Sequence, residues 1–364
     1  MAFFSGTFSV LIQIIAVVFG LGLLVFLHEL GHFLTAKYYG VRILKFALGF
    51  GPEIYGWTKG ETRYSVCLFP LGGLVEMAGE YSEANKDNKE QPVPKEGDFL
   101  YLKWYKKAII AFMGPFTNYV LAVILFWFVF SIWGVQTVST EAVIGNMLDT
   151  SCAKQAGLML NDKIVSINGV NINNWNELTS TLKDKAKQQT EITILRNGNE
   201  MKFSLVMDEN PTTGGGMLGI QPKITTEKTS VFKALYLGFD TAVYQSTFTL
   251  AYLWDKLVTW EKPEIAGPIG VIQVMAKSAN SGFGNYFRLL AVISVALGLF
   301  NLLPIPLVDG GMIVLYFVEG IIRKTISMKV IQVYNTIGLS LILLIFIFAT
   351  YSDLIRLGIG KLFK

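Results

Sequence analysis

The first long apolar run of the sequence, residues 8–33, contains the motif His28-Glu29-Leu30-Gly31-His32. At about 1.5 Å per residue, a helix of this length crosses a hydrocarbon core of about 30 Å. The run has no charged n-region and no small-residue cleavage site, so we expect a retained spanning helix and not a signal peptide. The fold must therefore accommodate ionisable side chains inside a membrane segment.

The spacing of this motif predicts a metal site. Residues four apart lie on one face of a helix, so His28 and His32 can present two imidazoles to one ion, with Glu29 beside them. The chain has two histidines in all, and both are here. An ordinary helix with two packed or capping histidines is the alternative, but ionisable groups within a membrane are costly and usually functional. The motif therefore indicates a metal-dependent hydrolase.

Composition supports the membrane assignment. The 364 residues are 52% hydrophobic and 16% charged, with a mean hydropathy of +0.46. Such a chain is too apolar for an ordinary soluble protein. A net charge of +4 gives no support to a nucleic-acid partner. Cys67 and Cys152 form no CxxC pair, and we expect neither a disulfide nor a thiol ligand from them.

Three further apolar segments predict spanning helices, at residues 108–133, 289–303 and 337–351. Residues 231–254 are also apolar but contain Lys233 and Asp240, so they fit either a span or a surface helix. Between the first two spans, residues 37–107 carry eleven lysines and arginines. By the positive-inside rule this segment is cytoplasmic.

The segment between the first two spans also predicts a β-hairpin. Residues 62–69 alternate in polarity, Pro70-Leu71-Gly72-Gly73 reads as a turn, and residues 74–77 resume the alternation. Two interpretations stay open. The hairpin is either a small soluble one or one that dips into the membrane beside the metal, with its backbone shielded by protein.

Residues 141–208 have the composition of a soluble domain. A turn at Ala156-Gly157-Leu158 is followed by a strand and an Asn-Gly turn, then by a helical stretch from Trp175 and a second strand ending in Asn197-Gly198. The stretch from Ala156 to Gly169 resembles a PDZ domain, with Asn161 in place of the usual glycine. PDZ domains bind extended peptides along a sheet edge.

A catalytic zinc takes three protein ligands, and with no histidine left the third must be a carboxylate or a cysteine. Pro304 and Pro306 prevent a continuous helix after the 289–303 span, so the chain unwinds there and delivers Asp309. An aspartate that caps the following helix is the alternative. With the amino terminus outside, Asp309 reaches the depth of the histidines only if residues 231–254 do not cross. We therefore expect four spans and an extracytoplasmic surface helix.

Three motifs occur in order: HExxH, Gly114-Pro115-Phe116-Thr117-Asn118, and the NxxPxPxxDGG stretch from Asn301 to Gly311. With them the chain resembles the site-2 protease family of intramembrane zinc metalloproteases, and most of all the bacterial branch that cleaves membrane-bound anti-sigma factors. The resemblance covers nearly the whole chain. It departs from the family in having room for one PDZ domain where well-studied members have two, and in having Val308 where leucine is frequent.

The resemblance implies a role for each matching residue. His28, His32 and Asp309 would hold one Zn²⁺, and Glu29 would be the general base. Substrate would be bound by the Gly72-Gly73 hairpin, as an added strand, and by two amide side chains, Asn118 and Asn301.

The predicted fold is a mainly α-helical polytopic membrane protein with about four transmembrane helices, a membrane-associated β-hairpin and one inserted extracytoplasmic α+β PDZ domain. Its predicted parts are a first membrane half (1–140), the PDZ domain (141–210), a linker with an amphipathic helix (211–285) and a second membrane half (286–364). We expect the bacterial inner membrane, an active site toward the cytoplasm, contacts with lipids and transmembrane protein or peptide substrates. The oligomeric state and the physiological substrate stay open.

Two other functions are compatible with the sequence. One is a membrane-tethered metalloprotease that cuts soluble peptides, which would take a downstream glutamate as third ligand. The other is a non-catalytic PDZ scaffold or a transporter-like protein whose polar spans line a path.

Overall fold

The structure is a computed structural model that describes residues 2–80, 95–210, 214–260 and 266–357. The chain forms two compact units, of which the smaller is Ile132–Thr229 and the larger consists of the chain on either side. The larger unit contains the HExxH motif and the other two motifs. The smaller unit includes strands on both sides of the range predicted for the PDZ domain.

Two long helices open the larger unit, α1 (Ala2–Tyr38) and α2 (Trp104–Trp133). They approach closely at Gly31, where an added Cβ would lie 2.3 Å from the Met113 carbonyl oxygen and 2.5 Å from Thr117 Oγ1. A glycine is therefore required in the second half of the HExxH motif for α2 to lie against α1.

A bent sheet connects these helices, built from β1 (Ile43–Lys59) and β2 (Thr62–Met77). Each strand is long enough that different segments of it pair with different segments of the other strand. Residues 43–48 pair with 73–77 on one side and with 63–66 on the other, while 53–59 pair with 62–67. The bend in β1 occurs at Gly49 and Gly51, which both have φ = +89°, a value that glycine adopts without strain.

The predicted turn at residues 70–73 is wrong. The hairpin turns at Gly60 and Glu61, and β2 continues through residues 70–73. The pairing moves from Phe50–Phe69 to Leu48–Gly73 across this stretch, so the extra residues of β2 form a bulge. Gly72 and Gly73 permit close packing here, because a Cβ at Gly72 would lie 1.8 Å from Phe50 Cε2 and one at Gly73 would lie 2.4 Å from Glu29 Cγ.

The smaller unit is an α+β domain. Its strands and helices are, in order, β3 (Val135–Val138), β4 (Ile144–Met147), α3 (Cys152–Gln155), β5 (Lys163–Ile167), β6 (Val170–Asn171), α4 (Trp175–Leu182), β7 (Gln189–Arg196), β8 (Asn199–Val206), β9 (Asp208–Glu209), β10 (Gly216–Met217), β11 (Ile220–Pro222) and β12 (Ile224–Glu227). The main sheet has the order β6-β5-β7-β8, and β3 and β4 pair with β12 and β11. Both predicted Asn-Gly turns are present, with positive φ at Asn168, Gly169, Asn197 and Gly198.

The larger unit resumes with α5 (Val231–Thr259) and α6 (Pro268–Asn280). α5 lies antiparallel to α2: Trp127 Nε1 donates to the Val231 carbonyl oxygen at 3.1 Å, and the Tyr119 and Ser246 hydroxyls are 3.1 Å apart. Gly238 permits this packing, because its Cβ position is 3.1 Å from the Val123 carbonyl oxygen. The segment predicted to be a surface helix therefore lies against α2, itself a candidate span, along its first half.

Three helices complete the larger unit, α7 (Phe283–Leu302), α8 (Asp309–Ile322) and α9 (Met328–Arg356). Four helical segments among the described residues are long and apolar enough to cross a membrane: Val10–Tyr38, Trp104–Trp133, Phe283–Leu302 and Lys329–Arg356. They correspond to the four spans predicted from sequence, and α5 is not among them. The chain is a mainly helical integral membrane protein.

Candidate metal centre and active site

The α1 helix places its two histidines one turn apart. Their ring centroids are 4.8 Å apart, and the two Nε2 atoms are 3.3 Å apart. The Nε2 atoms therefore converge on one point, as the i, i+4 spacing predicted.

The α2 helix packs closely against the two histidine rings at Gly114. A Cβ at Gly114 would lie 2.2 Å from His32 Nε2 and 2.9 Å from His28 Cε1. No side chain larger than hydrogen fits there without moving the rings. Gly114 thus leaves the space in which the two imidazoles meet.

Hydrogen bonds at the other ring nitrogens orient both histidines. His32 Nδ1 lies 2.8 Å from the Ile110 carbonyl oxygen, so it carries the proton and leaves the lone pair on Nε2. His28 Nδ1 lies 3.3 Å from the amide of Asn118, whose side chain is buried and whose Oδ1 has no partner. Rotating this amide by 180° brings Oδ1 to His28 Nδ1–H, so that the amide oxygen accepts the ring proton. In each ring the nitrogen that faces the site is then free to bind a cation.

The unwound stretch between α7 and α8 delivers Asp309 to the histidines. Asp309 Oδ2 lies 3.2 Å from His28 Nε2, and Oδ1 lies 3.4 Å from His32 Nε2. Val308, not Asp309, is the N-cap of α8. The capping alternative therefore does not describe this carboxylate, which points at the two imidazoles.

The tight turn into α8 depends on the two glycines that follow. A Cβ at Gly310 would lie 2.3 Å from the Leu303 carbonyl oxygen, and one at Gly311 would lie 2.0 Å from the Ile305 carbonyl oxygen. The Asp-Gly-Gly sequence lets the chain fold back on itself and places the aspartate at the first helical position.

The separations of the three groups fit zinc. Their ligand atoms all lie within 4.8 Å of one another, and the closest pairs are 3.2, 3.3 and 3.4 Å apart. Tetrahedral coordination with zinc–ligand bonds of about 2.0–2.1 Å places neighbouring ligand atoms about 3.3–3.4 Å apart. Two neutral imidazoles and one carboxylate are also a donor set that catalytic zinc uses.

A cavity of about 330 Å³ opens beside this cluster and brings the remaining predicted site residues together. Its walls include Glu29, Gly72, Gly73, Asn118 and Asn301. Gly73 is in contact with Glu29, since a Cβ at Gly73 would be 2.4 Å from Glu29 Cγ. The bulge of β2 therefore runs directly past the carboxylate of the HExxH motif.

Sequence reasoning missed two elements of the site. The Ile110 carbonyl that orients His32 is a backbone atom, and no side-chain pattern indicates it. The glycine of the GPxxN motif was noticed only as part of that motif, whereas its role is to make room for the histidine rings. The fact that glycine precedes a proline in the middle of an apolar span was the available signal.

A second cavity, of about 760 Å³, lies in the smaller unit between the end of β3 and the start of α4. Trp175 and Glu177 are among its walls. The assignment of this unit as a peptide-binding PDZ domain stays a prediction.

Comparison with known proteins gives the family. The model of Peptidase family M50 matches residues 16–345. The regulator of sigma-W protease RasP of Bacillus subtilis is 30% identical over 424 residues, covering 94% of this chain and 98% of that protein. The zinc metalloprotease RasP of Bacillus licheniformis is 29% identical over 422 residues, covering 94% and 99%.

Some solved structures resemble part of the chain. Among them is the PDZ domain of an SdrC-like protein from Listeria monocytogenes, with 16% identity and a TM-score of 0.21, which covers 24% of this chain and 93% of that one. The family match and the two relatives extend over nearly the whole chain, including all three motifs. The chain therefore belongs to peptidase family M50 and is a zinc metalloprotease of the site-2 type.

Proposed function

We propose that His28, His32 and Asp309 hold one Zn²⁺ and that the protein hydrolyses peptide bonds within the transmembrane segments of single-span membrane proteins. The observation that carries the proposal is the convergence of these three residues: the two Nε2 atoms are 3.3 Å apart, and each lies within 3.4 Å of one Asp309 carboxylate oxygen. Both histidines lie on α1, which is itself a candidate span. A site built there meets substrates that are in the membrane.

Zinc supplies Lewis acidity, since it lowers the pKa of water at its open position to about 7 and polarises a peptide carbonyl. Glu29 borders the same cavity and is placed to accept the proton of the attacking water and return it to the leaving amine. His28 and His32 are held by Asn118 and by the Ile110 carbonyl, which fixes Nε2 of each ring toward the cation. No covalent enzyme intermediate is required.

A transmembrane substrate must expose its backbone before a peptide bond in it can be cleaved. A transmembrane helix hides its carbonyls in internal hydrogen bonds, so it must unwind locally before hydrolysis, and in the membrane the freed groups need new partners. Among the described residues, 73–77 pair with 43–48 along one edge, and no strand pairs with their other edge. We propose that an unwound substrate adds to the other edge as a strand, beside the cavity that Asn301 lines together with Gly72 and Gly73.

Sidedness follows from the order of the spans. With four crossings and the amino terminus outside, the HExxH motif lies toward the cytoplasmic end of α1, where the basic segment 37–107 follows. We propose a bacterial inner-membrane enzyme with its zinc toward the cytoplasm and its PDZ domain outside. Membrane-bound anti-sigma factors and signal-peptide remnants are the proposed substrate classes.

The test is to measure zinc content and cleavage of a model single-span substrate in detergent for three variants. Asp309→Ala should lose both zinc and cleavage. Glu29→Gln should keep zinc and lose cleavage by about 10²–10⁴-fold, because it removes only the proton acceptor. Asp240→Asn, an exposed carboxylate on α5, is the control and should change neither.

Two results would contradict the proposal. Zinc retained by Asp309→Ala would mean that the third ligand lies elsewhere, as the tethered-protease alternative requires. Undiminished cleavage by Glu29→Gln would remove the proposed general base and would favour a function that does not use the motif for hydrolysis.

A further inference from the structure

A buried ion pair lies outside the site and has no part in the chemistry described above. Lys107 Nζ donates to Glu319 Oε1 at 2.8 Å, and the two side chains are 0% and 10% exposed. Lysine and glutamate are almost never buried to this extent unless they are paired. Separating the two charges would leave each of them without compensation in a medium of low dielectric.

The pair joins the first turn of α2 to the second half of α8. The same contact contains the Trp104 ring, which lies against Gly320 so closely that a Cβ there would be 2.6 Å from it. The Trp104 and Phe317 ring centroids are 5.2 Å apart. α8 is therefore packed on α2 at its carboxyl-terminal half, around one pair of opposite charges.

The other end of α8 carries Asp309. Asp309 and Glu319 are ten positions apart on this helix, which is about 15 Å at 1.5 Å per residue. On α2, Gly114 lies seven positions beyond Lys107, about 10 Å along the axis, and is in contact with the ring of His32. The two helices thus contact each other at the ion pair, whereas at the other level each contacts the α1 histidines, α8 through Asp309 and α2 through Gly114.

The axial position of α8 determines the distances from Asp309 to the two histidines. A slide of one residue moves Asp309 by about 1.5 Å, and a slide of one turn moves it by about 5.4 Å. Either exceeds what ligand separations of 3.2 and 3.4 Å to the histidines allow. Apolar contacts resist such a slide weakly, because side chains repack, whereas a buried charge pair has one favourable register.

We propose that the Lys107–Glu319 ion pair sets the axial position of α8 on α2 and thereby holds Asp309 at the two histidines. Both are positioning residues for the metal centre. This inference rests on the proposed function, in which Asp309 is a zinc ligand.

The test compares zinc affinity, by competition with a chromophoric chelator, with the unfolding temperature of the metal-free protein in the same detergent. The apolar variant Lys107→Met/Glu319→Leu should keep its unfolding temperature, since apolar replacements of buried pairs are often neutral. Its zinc affinity should fall by about 10–100-fold, as on loss of other groups that orient a ligand. The reversed pair Lys107→Glu/Glu319→Lys should recover most of that loss.

The matched control is an exposed ion pair in the smaller unit, Lys202–Glu191, at 2.9 Å with side chains 69% and 49% exposed. Lys202→Met/Glu191→Leu should leave zinc affinity unchanged. Native zinc affinity in the folded apolar variant would overturn the proposal. The proposal would also be overturned if the apolar variant lost zinc affinity together with a lowered unfolding temperature and the reversed pair did not restore the affinity. In that case the ion pair would only stabilise the fold. Native zinc affinity in Asp309→Ala would instead overturn the proposed ligand set. This variant therefore distinguishes failure of the ion-pair proposal from failure of the proposed function.

Discussion

Among single residues, the metal centre depends on glycines as much as on its three proposed ligands. The HExxH spacing was enough to predict that His28 and His32 share a helix face, because that follows from helix geometry alone. The requirement for glycine at position 114 could not be predicted, since it arises from how closely α2 approaches the rings. The spacing of residues in the sequence therefore predicts which side chains can be ligands, whereas the room around those ligands depends on how the helices pack.

Gly114→Ala should therefore reduce zinc affinity by more than about tenfold. The added Cβ overlaps His32 Nε2 and crowds His28 Cε1, so at least one ring must turn away from the ion. The measurement is chelator competition on the purified protein. Ile124→Ala, on the exposed face of the same helix, is the control and should bind zinc as wild type does. Equal affinity for both variants would mean that the rings tolerate the contact.

A second residue-scale effect concerns Glu80, which follows β2 outside the spanning helices. Burial raises the pKa of Glu80 to about 7 from its ordinary value of 4.5, and the nearby carboxylates of Glu29 and Glu76 add to the shift. Between these two pH values the folded state keeps a proton that the unfolded chain has lost. Stability must therefore fall as pH rises from about 4.5 to about 7.

Glu80→Gln should remove this part of the pH dependence. We expect the variant to unfold at a temperature a few degrees above wild type at pH 8 and at nearly the same temperature as wild type at pH 5. Thermal unfolding in detergent at the two pH values measures the difference. Glu61→Gln, an exposed glutamate in the hairpin turn, should follow wild type. A constant offset of Glu80→Gln at both pH values would contradict the assigned proton.

At the scale of secondary-structure elements, the bent sheet shows what alternation can and cannot predict. Strand character at residues 62–69 and 74–77 was predicted correctly, because alternating polarity is a local property. The turn between them was not, because proline and paired glycines occur both where a strand reverses and where it bulges. The pairing of 43–48 with two other segments is a tertiary choice that the local pattern does not contain.

The open edge of residues 73–77 gives the prediction for this element. Gly73→Pro would also place atoms against Glu29 Cγ, so the cleaner change is Leu74→Pro, at a side chain that is 45% exposed. Loss of a strand N–H should reduce cleavage of a transmembrane substrate by about tenfold while zinc stays bound, if substrate adds to this edge. Leu74→Ala keeps the N–H and is the control. Full cleavage by Leu74→Pro with zinc bound would argue against strand addition.

The α8 helix is the element whose position matters most to the site. Its existence was considered only as an alternative, in which Asp309 capped it. Pro304 and Pro306 predicted that the chain unwinds before α8 and that this stretch brings Asp309 to the histidines. The ion pair at its other end joins residues 212 positions apart, and no local pattern in the sequence could reveal it.

At the scale of the whole molecule, four candidate spans and a domain inserted between the second and third define the architecture. Hydropathy was sufficient to identify the four candidate spans, because length and apolar composition decide which helices can cross. It did not predict that α5 would lie along α2, since that contact depends on Gly238 and on hydrogen bonds between helices. The proposed sidedness rests on the basic segment 37–107 and on the number of crossings.

The central claim is that hydrolysis occurs inside the membrane. The most direct measurement is mass-spectrometric mapping of the products of a model single-span substrate, incubated in detergent with wild-type protein and with Glu29→Gln. A cut within the span that is absent with Glu29→Gln is the predicted result, and its position gives the depth of the zinc site. Cuts confined to the flanking soluble sequence would contradict the account and would favour a membrane-tethered protease.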